Sequence, residues 1–290
     1  MTDVLLATSA AWPDGEPGGD LLLTALSARG LDARWAVWDD PGVDWSTADV
    51  VAVRSTWDYE ERLPEFLAWA EHVERWSVLL HGAAAFRWNA DKSYLLDLAA
   101  SGLPVVPTVL LDDPSDLASA ASAFPGRVLV KPRVGAGGRG VVVIERGLDL
   151  GLPVGLEGAR GPWVVQPVVE SVRTAGEQSV FVLGGIPVSQ VHKVPSGEEL
   201  RVHEEYGGSS TRVELDDEAA LLATEALAVA QELLGGELCY ARVDLMRLDD
   251  GRLAVGELEA VEPGLYLDLL PENAEAFADV VPSAVARARS

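Results

Sequence analysis

Asp244, Glu257 and Glu259 stand with Arg242 in the stretch YARVDLMRLDDGRLAVGELE, residues 240–259. Asp250-Gly251 is a favoured two-residue hairpin turn. With that turn, Asp249 pairs with Arg252, Asp244 falls opposite Glu257, and Arg242 falls opposite Glu259. Period-two alternation puts those four side chains on one face. Ala241, Val243, Leu245, Ala254, Gly256 and Leu258 then form the core face. Like charges across a ladder repel, so three clustered carboxylates call for a cation. Hard oxygen donors suit Mg²⁺, which keeps waters and shares substrate phosphates. The bland alternative is a solvated acidic face balanced by Arg242. A one-residue slip in register would scatter the cluster.

A second candidate lies in VLVKPRVGAGGRGVVVI, residues 128–144, where Gly135, Gly137 and Gly140 spell G-x-G-x-x-G. A dinucleotide fingerprint needs a helix after the glycines. Here the β-branched run VVVI follows, so context excludes it. No G-K-[ST] occurs, which excludes a Walker A loop. What remains is strand, glycine loop, strand: a hairpin tip whose backbone N–H groups can cover phosphates, or a plain mobile turn. Lys131, just before the loop, favours the nucleotide. Only three of the 22 basic residues are lysines: Lys92, Lys131 and Lys193. Where lysine persists among arginines, a compact ammonium is favoured over a broad guanidinium, although composition bias explains the same count.

The chain of 290 residues carries a net charge of −24. Nucleic acids and anionic membranes need a basic face, so neither is expected as a partner. No apolar run approaches the roughly 20 residues that span a bilayer. The start, MTDVLLATSAAW, lacks a basic n-region, and Cys239 is alone; both point to a reducing, cytoplasmic setting. The four histidines show no ligand spacing, and the sequence leaves a homo-oligomer open.

The elements that must position these residues alternate. VLLAT (4–8), ARWAVW (33–38) and VVAVR (50–54) are predicted strands, with helices over 20–29 and 63–75. Such alternation predicts a parallel sheet with covering helices. A second unit follows, with helices over 91–100 and 116–123 and an extended VVPTVLL (105–111). VLVKP, VVVI and WVVQPVV then read as strands, 152–161 as a loop, and 180–191 as a hairpin. Asp217–Leu234 is a long amphipathic helix ended by Gly235-Gly236, and 273–286 a closing helix. RSTWDY (54–59) follows a strand, at the edge where α/β ligands bind. There Arg54 could clasp a carboxylate in bidentate fashion and Asp58 an amine. Alternatively, the two are structurally paired and Trp57 and Tyr59 are packing residues.

Lys92, Lys131 before a glycine hairpin, Gln166, Glu177, Lys193, then R-x-D and E-x-E occur in an order that resembles the ATP-grasp ligases. WDD (38–40), RSTWDY, RWNADKSYLLDLA (87–99), GLPVVPT (102–108), EEYGG (204–208) and ELEAVEPGLYL (257–267) narrow the resemblance to the O-ureido-D-serine cyclo-ligase group, the D-cycloserine-forming enzymes and their relatives. The resemblance implies an α/β, ATP-grasp fold with an N-terminal parallel-sheet, Rossmann-like domain. The expected division is 1–88 for a substrate domain and 89–290 for the ATP-grasp domain, with a lid over about 103–168. It implies ATP contacts at Lys92, Lys131, the lid glycines Gly135, Gly137 and Gly138, Gln166, Val168 and the ribose-binding Glu177. Lys193, Arg201 and Arg242 would act at the transferring phosphate. Asp244, Glu257 and Glu259 would hold Mg²⁺; many ATP-grasp enzymes carry Asn where Glu259 stands. Substrate contacts are expected at Arg54, Asp58, Tyr59, Gly207 and Gly208. The implied reaction is ATP-dependent activation of a small amino-acid-like carboxylate as an acyl phosphate, in antibiotic biosynthesis. A nitrogen nucleophile, from the same molecule or another, then attacks it. A dipeptide-type ligase and a non-catalytic nucleotide-binding module are the rivals.

Overall fold

The computed structural model describes residues 2–145 and 161–288. The 152–161 loop expectation therefore lies, apart from Gly161, outside the described residues. Three sheets surround the site. The first is parallel, in the order β2-β1-β3-β4. Its strands are β1 (Thr2–Thr8), β2 (Leu31–Val37), β3 (Val50–Ser55) and β4 (Val78–Leu79). Val4–Ala7 and Val50–Val53 are fully buried, as strands covered on both faces must be. Helices α1 (Gly19–Ala28), α2 (Leu63–Val73) and α3 (Gly82–Asn89) accompany them.

Helix α4 (Tyr94–Ala100) begins later than expected. Residues 91–93 form an Asp-led turn instead, with Ser93 N donating to Asp91 Oδ1 at 2.9 Å. Lys92 sits in that turn, tied by its backbone N–H to Arg133 O at 2.9 Å. The extended run 105–111 divides. Val106 N donates to Val255 O at 2.9 Å, while β5 (Val109–Leu111) joins a small antiparallel sheet. That sheet has the order β5-β8-β6-β7, with β6 (Val128–Pro132), β7 (Val142–Ile144) and β8 (Trp163–Pro167). Helix α5 (Leu117–Ser122) packs on it through Leu117 and Ala120.

The central sheet is antiparallel, in the order β11-β10-β9-β12-β13. It comprises β9 (Glu177–Leu183), β10 (Ile186–Val194), β11 (Ser209–Val213), β12 (Tyr240–Arg247) and β13 (Leu253–Glu259), and the short α6 (Val172–Ala175) precedes it. Helix α7 (Asp217–Leu234) starts where Asp216 accepts from Ala219 N and stops at Gly235, which is left-handed at φ 63°. Such an N-cap is worth about 1 kcal/mol. Its apolar stripe, Ala219, Leu222, Ala223, Ala226, Leu227 and Ala230, covers one face of the sheet with the i, i+3, i+4 spacing of an amphipathic helix. Helix α8 (Glu272–Ala288) closes the chain. Its Phe277 joins Leu6, Phe181 and Tyr240 in a cluster that joins the first and central sheets.

The β12–β13 hairpin differs from its predicted form in two places. Its tip contains Asp249, Asp250 and Gly251, closed by Leu248 N donating to Arg252 O at 2.8 Å. One extra residue in the tip shifts the outer ladder, so Arg247 pairs with Leu253 and Leu245 with Val255. A bulge that leaves Gly256 unpaired then restores the inner register, Asp244↔Glu257 and Arg242↔Glu259. The core face is corrected accordingly. Val255 and Leu253, rather than Gly256 and Ala254, join Ala241, Val243, Leu245 and Leu258 against α7; Ala254 instead meets Val106 and Val169.

Candidate active site

A cavity of about 900 Å³ opens where the three sheets meet. The central sheet gives it a charged wall. Arg242 grips Asp244 in bidentate fashion, Nε to Oδ1 at 2.9 Å and Nη2 to Oδ2 at 3.0 Å. Ser179 Oγ donates to the same carboxylate at 2.5 Å, and Lys193 Nζ lies 3.4 Å from Oδ2. Burial pushes Asp244 up, but Arg242 and Lys193 outweigh it and hold the group well below the usual carboxylate range. Lys193 also reaches Glu177 Oε1 at 3.1 Å. Glu257 Oε1 sits 3.0 Å from Lys92 Nζ. Despite burial, Lys92 and Lys131 lower the pKa of Glu257. Glu259 bonds Arg242 through Oε1. Burial, reinforced by Asp244 and Glu257 against Arg242, pushes Glu259 up to about 7.

Among the described residues, no group of three or more His, Cys, Asp or Glu is gathered to hold a metal. Asp244, Glu257 and Glu259, the residues expected to hold Mg²⁺, all line this cavity. Asp244 is engaged on both oxygens by Arg242, Lys193 and Ser179. Glu257 and Glu259 fit Mg²⁺ in donor chemistry: hard oxygens, side chains 30% and 27% exposed, with ion pairs at Oε1 only.

The small sheet supplies the opposite wall. Lys131, at the end of β6, lines the cavity. It has no ion pair among the described residues. Burial and neighbouring Lys92, against Glu257, hold its ammonium below the usual lysine range. Gly135, Gly137 and Gly138 line the cavity beside it. Gly137 and Gly138 have φ of 60° and 70°, the left-handed region that glycine enters without strain. Lys92 Nζ donates to Gly135 O at 2.6 Å. The loop is fastened to the N-terminal part: Glu60 accepts from Ala136 N and from Arg139 Nε, the latter at 2.7 Å. Gln166 and Val168 also face the cavity. Gln166 Nε2 is held by Thr108 Oγ1 at 2.8 Å. Val168 N donates to Arg127 O at 3.0 Å. Arg201 lines the rim, paired with Glu199 at 2.6 Å and stacked 3.5 Å from the Tyr206 ring centre. That pairing holds Glu199 at about 2.

The expected substrate contacts fare differently. Arg54 is fully buried and does not line the cavity. Its Nη2 donates to Glu16 Oε1 and Pro263 O, both at 2.7 Å, and its guanidinium lies 5.2 Å from the ring centres of Tyr240 and Phe277. It is a structural clamp, because Glu16 Oε2 in turn accepts from Leu265 N at 2.6 Å. Asp58 reaches the cavity, but Trp38 Nε1 and Arg62 Nη2 occupy its two oxygens at 3.0 and 2.8 Å. Tyr59 packs on Phe66, with only 4% exposed at the rim. Gly207 and Gly208 do not line the cavity. A Cβ on Gly208 would stand 2.0 Å from Val202 O, so glycine serves close backbone approach there.

Sequence reasoning missed Glu16, Arg139 and Glu262, which line the cavity, and Glu60, which holds Arg139 and the glycine loop. Glu262 had a readable signal, as the third acid in ELEAVE. Glu16 and Glu60 had none, since their partners lie 38 to 249 residues away.

Residues 4–81 match the N-terminal domain of D-cycloserine synthetase DcsG, and residues 99–247 match the ATP-grasp domain of prokaryotic glutathione synthetase. The cycloserine biosynthesis protein DcsG of Streptomyces lavendulae is 34% identical over 277 residues, 90% of this chain and 91% of that protein. Glutathione synthetase of Rhodopseudomonas palustris is 23% identical over 204 residues, 68% of this chain and 64% of the relative. The crystal structure of D-cycloserine synthetase DcsG superposes with a TM-score of 0.88 at 31% identity, over 98% of this chain and 99% of that one. The ATP-grasp ligase PsnB, at 18% identity and a TM-score of 0.65 over 98% and 99% of the two chains, shares the fold.

Proposed function

This chain belongs to the ATP-grasp ligases, in the group that holds D-cycloserine synthetase, and from that premise we propose that it activates a small amino-acid-like carboxylate with ATP for attack by a nitrogen of the same molecule. One observation carries this reading: an unpaired lysine beside a glycine loop faces a wall of paired carboxylates and cations across one cavity. Residues 1–88 would present the amino acid and residues 89–290 the nucleotide. Lys92 and Lys131 take the phosphates under Gly135, Gly137 and Gly138. Gln166 and the Val168 carbonyl meet the base. Glu177 takes the ribose hydroxyls through the oxygen not bonded to Lys193.

A substrate carboxylate oxygen attacks the γ-phosphorus, the bond to ADP breaks, and an acyl phosphate forms. The nitrogen then attacks the acyl carbon, phosphate leaves with the electron pair, and the nitrogen's proton passes to solvent. Such a transfer relies on positioning and on neutralising oxygens. Lys193 and Arg201 serve that end at the γ-phosphate, and Arg242 steadies charge on the transferring group. Glu257 and Glu259 would hold Mg²⁺, which neutralises phosphate oxygens when bound. The Glu60–Arg139 fastening keeps the loop over the acyl phosphate and water out.

The test uses O-ureido-D-serine labelled with ¹⁸O in its carboxylate. One labelled oxygen should appear in inorganic phosphate for each ADP released, with no added amine. Stoichiometric AMP, or unlabelled phosphate, would overturn the acyl-phosphate route. An absolute need for a second amine would replace ring closure by a dipeptide-type ligation.

A further inference from the structure

With Arg54 and Asp58 engaged inside the protein, the charged groups of an amino-acid ligand need other partners. Glu262 is the candidate for one of them. It lies in the turn after β13, is only 7% exposed, and lines the cavity. Among the described residues no hydrogen bond or ion pair engages its carboxylate. Its backbone carbonyl is fixed, accepting from Trp57 Nε1 at 3.1 Å.

The cations around the cavity are otherwise engaged. Lys92 is paired with Glu257, Arg139 with Glu60, Lys193 with Glu177 and Asp244, Arg201 with Glu199, and Arg242 with Asp244 and Glu259. Lys131 is the exception, and it belongs to the phosphate side. Burial, with Glu259 and Glu60 nearby, pushes the Glu262 carboxyl well up. A lone buried carboxylate is costly unless a cation joins it. Trp57 and Trp12, edge to face at 5.2 Å, line the same end of the cavity. Aromatic faces favour an organic cation.

We propose that the Glu262 carboxylate binds the ammonium group of the amino-acid substrate, between the Trp12–Trp57 pair and the acidic wall. This rests on the reading above that the substrate is amino-acid-like. The ammonium is a recognition handle and takes no part in the bond changes. Glu262 would thus set specificity for a free amine.

The test compares O-ureido-D-serine with its N-acetyl derivative by calorimetric binding to the enzyme loaded with magnesium and a non-hydrolysable ATP analogue. The wild-type protein should bind the free amine on the order of tenfold or more tightly, the worth of one charge-assisted hydrogen bond. Glu262→Gln, an isosteric change, should remove that preference while leaving affinity for the ATP analogue unchanged. Glu262→Asp, which keeps the charge, should restore part of it. Equal wild-type binding of amine and N-acetyl compound would overturn the ammonium site and leave the amino-acid reading standing. Wild-type binding of neither would sink both. A Glu262→Gln protein that keeps its amine preference but needs more Mg²⁺ would assign the carboxylate to the metal and overturn the proposal. The amine-versus-amide comparison on the wild-type protein needs no variant to fold.

Discussion

Asp244 on the central sheet and Glu262 in the turn after β13 are both nearly buried carboxylates, 5% and 7% exposed. Asp244 is held by Arg242, Lys193 and Ser179, whereas no hydrogen bond or ion pair engages the Glu262 carboxylate among the described residues. Their environments push the two groups in opposite directions, Asp244 down and Glu262 up. A buried charge satisfied by its own protein is scaffold, fixed before any ligand arrives. A buried carboxyl without a partner is pushed toward its neutral form until a cation joins it. Arg54 stands between the two, with Nη2 held by Glu16 and Pro263 while Nε and Nη1 are buried without a hydrogen-bond partner. It looked like a ligand group in the sequence and is structural, because Glu16 neutralises it inside the junction.

Arg54→Ala is the most severe way to break the contrast. It leaves Glu16, 4% exposed, without its cation, at a cost of about 3–5 kcal/mol. Thermal or denaturant unfolding should show the loss directly. A variant with near wild-type stability and a raised KM for the acid would return Arg54 to the substrate. Glu257→Gln probes the half-open part of the charged wall. Turnover should fall at least a hundredfold, or about 2.7 kcal/mol, with a smaller loss of stability than Arg54→Ala because the side chain is 30% exposed. Wild-type turnover at limiting Mg²⁺ would show that Glu257 is no metal ligand. Arg139→Ala sharpens the comparison at its mild end. The Arg139 side chain is 46% exposed, so its pairing with Glu60 should contribute under about 1 kcal/mol to stability. Its effect should appear as a severalfold rise in KM for ATP and faster proteolysis of residues 133–141. An unchanged KM and cleavage rate would deny the fastening any part in closing the loop.

The central hairpin shows how far local spacing carries. Asp244 opposite Glu257 was legible, yet the route to it contained two compensating departures: a three-residue tip and the bulge at Gly256. Alternation and turn chemistry act over neighbouring residues, so they locate strands, the stripe of α7 and the cavity-facing inner ladder. They do not specify a bulge, which depends on packing beneath the strand. Ala254 meeting Val106 and Val169 is a product of that packing.

The sequence by itself determined the ATP-grasp resemblance, the three lysines, the glycine loop as a strand-to-strand tip, and the order of elements that brings them together. Those properties reside in residue type and short-range period. Tertiary structure alone decided which charges are free. Arg54 meets Glu16 across 38 residues and Pro263 across 209, Asp58 is capped by Trp38 and Arg62, and Asp244 is gripped by Arg242 with Lys193 beside it. Whether a charge is scaffold or site depends on its solvation and on every partner within a few ångströms, and those partners are assembled by the fold from distant parts of the chain.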